Sequence, residues 1–95
     1  MRERDIRKAL KARVEAYGGE VRAASWIGRR NAPDVLCLFP KDAIPWRQWN
    51  ISGTHPFVET KAPRGKPTAA QAREHERMRT AGCVVLVIST LAQLD

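Results

Sequence analysis

Phe57-Val58-Glu59-Thr60-Lys61, read together with the earlier Pro33-Asp34-Val35-Leu36-Cys37-Leu38-Phe39, decides the fold of this chain. The first stretch is a short strand in which side chains alternate, so Glu59 and Lys61 project to one face and Thr60 to the other. It ends at Ala62-Pro63-Arg64-Gly65-Lys66-Pro67, which cannot continue a ladder. The second stretch is apolar on both faces and closed by Pro40, as expected of a central strand. Upstream, Glu20 to Trp26 is a weaker strand leading into the loop Gly28-Arg29-Arg30-Asn31-Ala32-Pro33. Between the two deciding stretches, residues 40–56 hold Pro45, Gly53 and Pro56 with Trp46 and Trp49, and predict a hairpin extension or an ordered loop.

Further outward the period changes. Ile6, Leu10 and Val14 recur every four residues beside Ala9 and Tyr17, which predicts a helix from about Glu3 to Tyr17, ended by Gly18-Gly19. Its other faces carry Arg2, Arg4, Arg7, Lys8, Lys11 and Arg13, either a solvated helix face or a phosphate-facing one. Thr68-Ala69-Ala70-Gln71 has capping-box spacing and opens a second helix that runs to about Ala81 and stops at Gly82. Val84 to Ile88 is a β-branched and aliphatic run, the clearest strand of the sequence, and Ser89 or Thr90 caps a last turn with Leu91 and Leu94. The order α-β-β-β-α-β predicts an α/β fold with a mixed central sheet flanked by helices.

Ninety-five residues bound the chain to one small domain, residues 1–95, for which self-association would help bury apolar area. The 17 basic residues against 10 acidic ones leave +7, which directs attention to a polyanionic partner, most simply nucleic acid. No apolar run approaches the roughly 20 residues that cross a bilayer, and the charged N-terminus lacks a signal-peptide core. An intracellular, cytoplasmic protein is expected. Cys37 and Cys83 sit in apolar runs as small buried side chains, with no CxxC or His cluster to make a metal site of the usual kind.

The chemistry resides in Asp34 at the mouth of one strand and Glu59 within the next. If the strands are adjacent, the two carboxylates approach and repel, which a shared proton or a hard divalent cation relieves. Mg2+ is held mainly by one or two carboxylates with backbone oxygen and water, so Asp34, Glu59 and the Thr60 carbonyl make an open site for one ion or two. Lys61 would lie beside it, able to position an attacking water and neutralise a nonbridging phosphate oxygen. These parts describe phosphodiester hydrolysis. Arg29 and Arg30 before Asp34, with Arg64 and Lys66 after Lys61, flank the site and suit phosphate contacts, which carry no sequence information.

Glu3-Arg4-Asp5-Ile6 in a first helix, an Arg-rich loop into Pro33-Asp34-Val35-Leu36, Phe57-Val58-Glu59-Thr60-Lys61, Lys66-Pro67-Thr68 followed by Gln71, and Ala81-Gly82-Cys83-Val84-Val85-Leu86-Val87 together resemble a VRR-NUC domain of the PD-(D/E)XK nuclease superfamily. The likeness spans nearly the whole chain and suggests a standalone protein, one that a phage could encode and that would act in the host cytoplasm. It implies a restriction-endonuclease-like core and an Mg2+-dependent endodeoxyribonuclease, with Mn2+ as substitute. It further implies a homodimer resembling Holliday junction resolvases. By position, Asp34 and Glu59 would be metal ligands, Lys61 the residue next to the scissile phosphate, Gln71 the glutamine of the second helix facing the site, and Glu3 the acidic residue approaching the attacking water. Asn31-Ala32 stand before Pro33 where many relatives have Gly-Val, and the segment between Phe39 and Phe57 is longer than in compact relatives.

Competing local readings stay open at this level. Gln71 also completes the capping box, Glu3 could pair with Arg7 on the helix, and Glu20 could stand in for Glu3. His75, four residues after Gln71 on the same helical face, could reach DNA or the site but reads first as a partly exposed helix histidine, and His55 has no role. Trp26, Trp46 and Trp49 could stack on bases or pack in the core or a dimer interface. Two other functions remain: a non-catalytic basic nucleic-acid-binding module, and a duplex-nicking nuclease of the same fold.

Overall fold

A computed structural model describes all residues from Met1 to Asp95. The first helix, α1 (Glu3–Ala16), forms because Ile6, Leu10 and Val14 fall on one stripe and are fully buried. Glu3 and Asp5 lie in its first turn, where the helix dipole favours negative charge, and the Asp5 carboxylate accepts from the Arg2 N–H at 2.8 Å. Tyr17 caps the C-terminal end and is exposed, so the apolar stripe is shorter than the sequence period implied. At Gly19 the chain passes so close to β2 that a Cβ would lie 2.2 Å from the Leu38 carbonyl oxygen, a contact only glycine avoids.

Four strands of four residues follow: β1 (Glu20–Ala23), β2 (Val35–Leu38), β3 (Phe57–Thr60) and, after the helix α2 (Ala69–Thr80), β4 (Val85–Ile88). They lie in the order β1-β2-β3-β4, the first two pairings antiparallel and β3–β4 parallel, a mixed sheet as expected. α1 covers one face, packing Ile6, Leu10 and Val14 with Val35, Cys37, Val58, Leu86 and Ile88 in a single cluster. Cys37 is buried there and free, its thiol pushed up to about 12 by burial. α2 packs against β4 with Met78 buried, outside that cluster.

The strand expected over Glu20 to Trp26 stops at Ala23, because the chain leaves the ladder to tuck the Trp26 ring against Phe57, 5.1 Å between centroids. The Trp26 indole N–H donates to the Pro33 carbonyl at 2.7 Å, tying the ends of the arginine loop together. Residues 40–56 form a loop with one 3-10 turn, Arg47–Trp49, not a hairpin. Trp46 is its anchor. Its ring is 2% exposed, meets Phe39 and Trp49 edge-on, and donates from its indole N–H to the Leu94 carbonyl at 3.2 Å, which accounts for Trp46 and Trp49 as packing residues. His55 has a structural part: its Nδ1 accepts from the Phe39 N–H at 3.3 Å.

Candidate active site

The register of β2 and β3 brings the two carboxylates together. Val35 pairs with Val58, so one step outward Asp34 stands opposite Glu59, on the face that α2 covers. The Asp34 backbone is fixed by the Ala24 N–H, which donates to its carbonyl at 2.8 Å, while its side chain is about half exposed. Glu59 is buried, and burial pushes its carboxyl above the usual range. Lys61 and Arg7 oppose that shift, whereas the negative charges of Asp34 and Glu3 reinforce it. Three carboxylates and two cations therefore act on one another across the end of the sheet.

Each cation is held by its element. Lys61 immediately follows β3, and its backbone N–H donates to the Ile88 carbonyl at 2.9 Å, extending the parallel ladder by one bond. The chain then doubles back: the Gly65 N–H donates to the Ala62 carbonyl at 2.7 Å, and a Cβ on Gly65 would lie 2.8 Å from that oxygen. Arg64 occupies the left-handed position of this turn at φ +70° and, like Lys66, is exposed beside Lys61. Arg7 was legible only as part of a charged helix face. Its guanidinium donates from Nε and Nη2 to the Thr60 hydroxyl at 3.3 and 3.2 Å and stands 3.6 Å from Asp34. It pairs with Asp34 across the fold, not with Glu3 along the helix.

α2 supplies the largest correction. His75, expected to be partly exposed, is 1% exposed, with Nε2 3.5 Å from the Glu59 carboxylate and no hydrogen-bond partner. Burial, then Arg79 and Lys61, lower its pKa, so it rests as the neutral imidazole. Gln71 completes the capping box: its side-chain oxygen accepts from the Thr68 N–H at 2.9 Å and its backbone N–H donates to the Thr68 hydroxyl at 3.1 Å. Glu20 stands opposite Leu38, at the far end of β2 from Asp34, and pairs with Arg22, so Glu3 is the additional carboxylate near Glu59. No sequence signal marked Arg7 or His75 beyond their periods: Arg7 follows the buried Ile6, and His75 precedes Met78 by three residues on the buried side of α2.

No three His, Cys, Asp or Glu side chains gather into an all-protein metal cage. The donor set at the sheet end is instead two facing carboxylates, one of them held above its usual pKa first by burial and then by the negative charge of its neighbours. That is a chemistry a hard divalent cation fits, since it would offset the repulsion and take its remaining ligands from backbone oxygen and water. Arg29 and Arg30 lie on the loop before Asp34, and Arg29 approaches the buried Glu74 of α2 at 3.5 Å.

Comparison with known proteins bears on the family and the fold. The chain is 37% identical over 90 residues to “Putative nuclease p44” of Acyrthosiphon pisum secondary endosymbiont phage 1, covering 95% of this chain and 85% of that one. It superposes on a solved structure described as a “VRR_NUC domain” with a TM-score of 0.77 and 39% identity, over 98% of this chain and 89% of the other. No protein-family model matches. With both similarities running nearly end to end, and with the Asp34, Glu59 and Lys61 positions gathered at one end of a mixed four-stranded sheet, the chain belongs to the VRR-NUC nuclease family.

Proposed function

We propose that this nuclease is a metal-dependent, structure-selective DNA endonuclease that acts as a homodimer on branched DNA, four-way junctions foremost. The observation that carries the reading is the buried Glu59 carboxyl facing Asp34 in register, with Lys61 directly after β3 and near enough for its charge to act on that carboxyl. Asp34, Glu59 and the Thr60 carbonyl would hold Mg2+, or Mn2+ in its place. When bound, the ion would acidify a water and offset negative charge on the phosphate. Lys61 would meet a nonbridging phosphate oxygen, and Arg7, bonded to Thr60 and 3.6 Å from Asp34, would hold that carboxylate in position from the α1 side. Hydrolysis leaves 5′-phosphate and 3′-hydroxyl ends.

Basic side chains border this acidic centre. Arg4, Arg7, Lys8 and Lys11 line a cavity of about 400 Å³ with Glu3 and Val21, and Arg64 and Lys66 follow Lys61. Such a rim would meet DNA through its backbone, so selectivity would rest on the shape of the substrate. Two copies would be needed for paired incisions across a junction. The test is cleavage of labelled junction, flap and duplex DNA with Mg2+ or Mn2+, beside Asp34→Ala and a chelator, together with the solution mass at low concentration. Metal-dependent junction cleavage by a dimer, absent in the variant, is expected. Cleavage that survives chelation or Asp34→Ala would overturn the metal mechanism, preferential nicking of plasmid would overturn junction selectivity, and salt-sensitive binding without cleavage would leave only a binding module.

A further inference from the structure

We infer that a second phosphate-binding pocket, separate from the scissile-phosphate site, lies between the arginine loop and α2 and takes another phosphate group of the same nucleic acid. The inference rests on the nuclease reading for the identity of the ligand, and on the pocket alone for its chemistry. Arg29 and Arg30 from the loop and Arg73 and Arg77 from α2 line a cavity of about 240 Å³, together with Gly28, Asn31, Ala70 and Glu74. That volume is about that of eight liquid waters at roughly 30 Å³ each, enough for a hydrated phosphate group.

The cavity is built, and its charge is lopsided. Four guanidiniums against one carboxylate leave an excess of three positive charges, 4 − 1, in a concave site. Glu74 does not block an anion, because it is 5% exposed and already engaged: its Oε1 accepts from Arg77 Nη1 at 2.8 Å and stands 3.5 Å from Arg29 Nη1. It draws two guanidiniums from different elements toward one point. Each guanidinium has five N–H donors, so most remain free for a ligand. Gly28 and Asn31 adopt left-handed conformations at φ +70° and +68°, which set the bend of the loop on either side of Arg29 and Arg30. Arg73 and Arg77 are spaced i, i+4, where like charges repel, and a bound anion would relieve that repulsion.

The pocket is also placed to set the register of a substrate. Glu74 enters it, and the next residue, His75, touches Glu59 from the same helix turn. A phosphate held by the arginines would therefore fix one point of the strand while Lys61 and the carboxylates engage another. Because no base is read, the contact would serve any sequence.

The test is binding without metal. Inorganic phosphate is titrated against the arginine Nε–H signals of the wild-type protein and of the double variant Arg73→Gln/Arg77→Gln, with melting temperature as the check on folding. Saturable shifts of the four pocket arginines, weakened at least tenfold in the variant, are expected. In a second arm, one oligonucleotide is compared with a 5′-phosphate and with a 5′-hydroxyl. A wild-type preference for the 5′-phosphate that the variant loses assigns the pocket to a terminal phosphate. Equal wild-type binding, weakened in the variant with a salt slope lower by about one or two, assigns it to a backbone phosphate. Unshifted arginine signals, or a folded variant that binds phosphate or both oligonucleotides as the wild type does, would overturn the pocket. Phosphate binding by a protein that cleaves nothing would overturn the nuclease reading and leave the pocket standing.

Discussion

The sheet has one helix on each face, and the two helices bury different chemistry. α1 puts Ile6, Leu10 and Val14 against Cys37, Val58 and Ile88, all fully buried. α2 buries one large apolar side chain, Met78, and next to it Glu74 and His75 over the buried Glu59. The α1 side removes apolar area from water, which stabilises by about 25 cal/mol per Å². The α2 side takes polar groups out of water with incomplete pairing, which costs stability. With strands of only four residues the chain has material for one apolar core, and the other face is left to hold a carboxyl and an imidazole away from their ordinary pKa values.

The contrast breaks most visibly at Leu10 and Glu59. Leu10→Ala should cost about 2–5 kcal/mol, a large share of what a small domain has, read from urea unfolding. Glu59→Gln should do the opposite to stability while lowering cleavage at least about a hundredfold, or about 2.7 kcal/mol of barrier. The sign follows from its raised pKa: the folded state favours the protonated carboxyl, so this contribution is full below the unfolded value near 4.5 and is lost as pH rises through the folded value. Glutamine mimics the protonated form. In chelator, the variant should melt above the wild type at pH 7 and the gap should close toward pH 4. A variant that melts lower at pH 7 would show that Glu59 stabilises the fold as an ion.

His75→Leu sharpens the same point with a smaller effect. It replaces a buried ring whose Nε2 has no partner by an apolar side chain, so the melting temperature should hold or rise, any loss staying under about 1.5 kcal/mol. Because His75 is held neutral, its own contribution is present above pH 6.5 and lost as pH falls, and the variant should be flatter on that side. Cleavage should fall about tenfold as Glu59 loses the side chain packed at 3.5 Å from it. A stability loss as large as that of Leu10→Ala would make the α2 face a second core.

How much of this was legible follows from what each residue's neighbours are. The period-four stripe of α1, the capping box of α2 and the aliphatic run of β4 are local patterns, and each element forms within one residue of the bounds they imply. Asp34 and Glu59 were legible because strand alternation and adjacency suffice to bring them together. Arg7 and His75 were not, because what sets their roles lies 53 residues away at Thr60 for one and on another element at Glu59 for the other. The segment 40–56 left hairpin and loop undecided for the same reason: Trp46 is drawn inward by Phe39 and by the Leu94 carbonyl, neither of which a turn signal encodes.

Glu20 separates the two ends of β2 and carries the smallest effect. From the sequence it was a candidate for the additional carboxylate, and its pairing opposite Leu38 removes it from Asp34. Its carboxylate meets Arg22 at 2.6 Å on the surface, where both side chains are more than half exposed, and exposed pairs of this kind contribute roughly 0–1 kcal/mol. Glu20→Gln should therefore leave the cleavage rate within twofold and stability within about 0.5 kcal/mol of the wild type. Glu3→Gln, beside it in the same assay, should lower cleavage, since the Glu3 charge reaches Glu59. If the two variants exchanged those outcomes, the active carboxylates would lie at the other end of the strand, and the register that sets Asp34 opposite Glu59 would not be the one the enzyme uses.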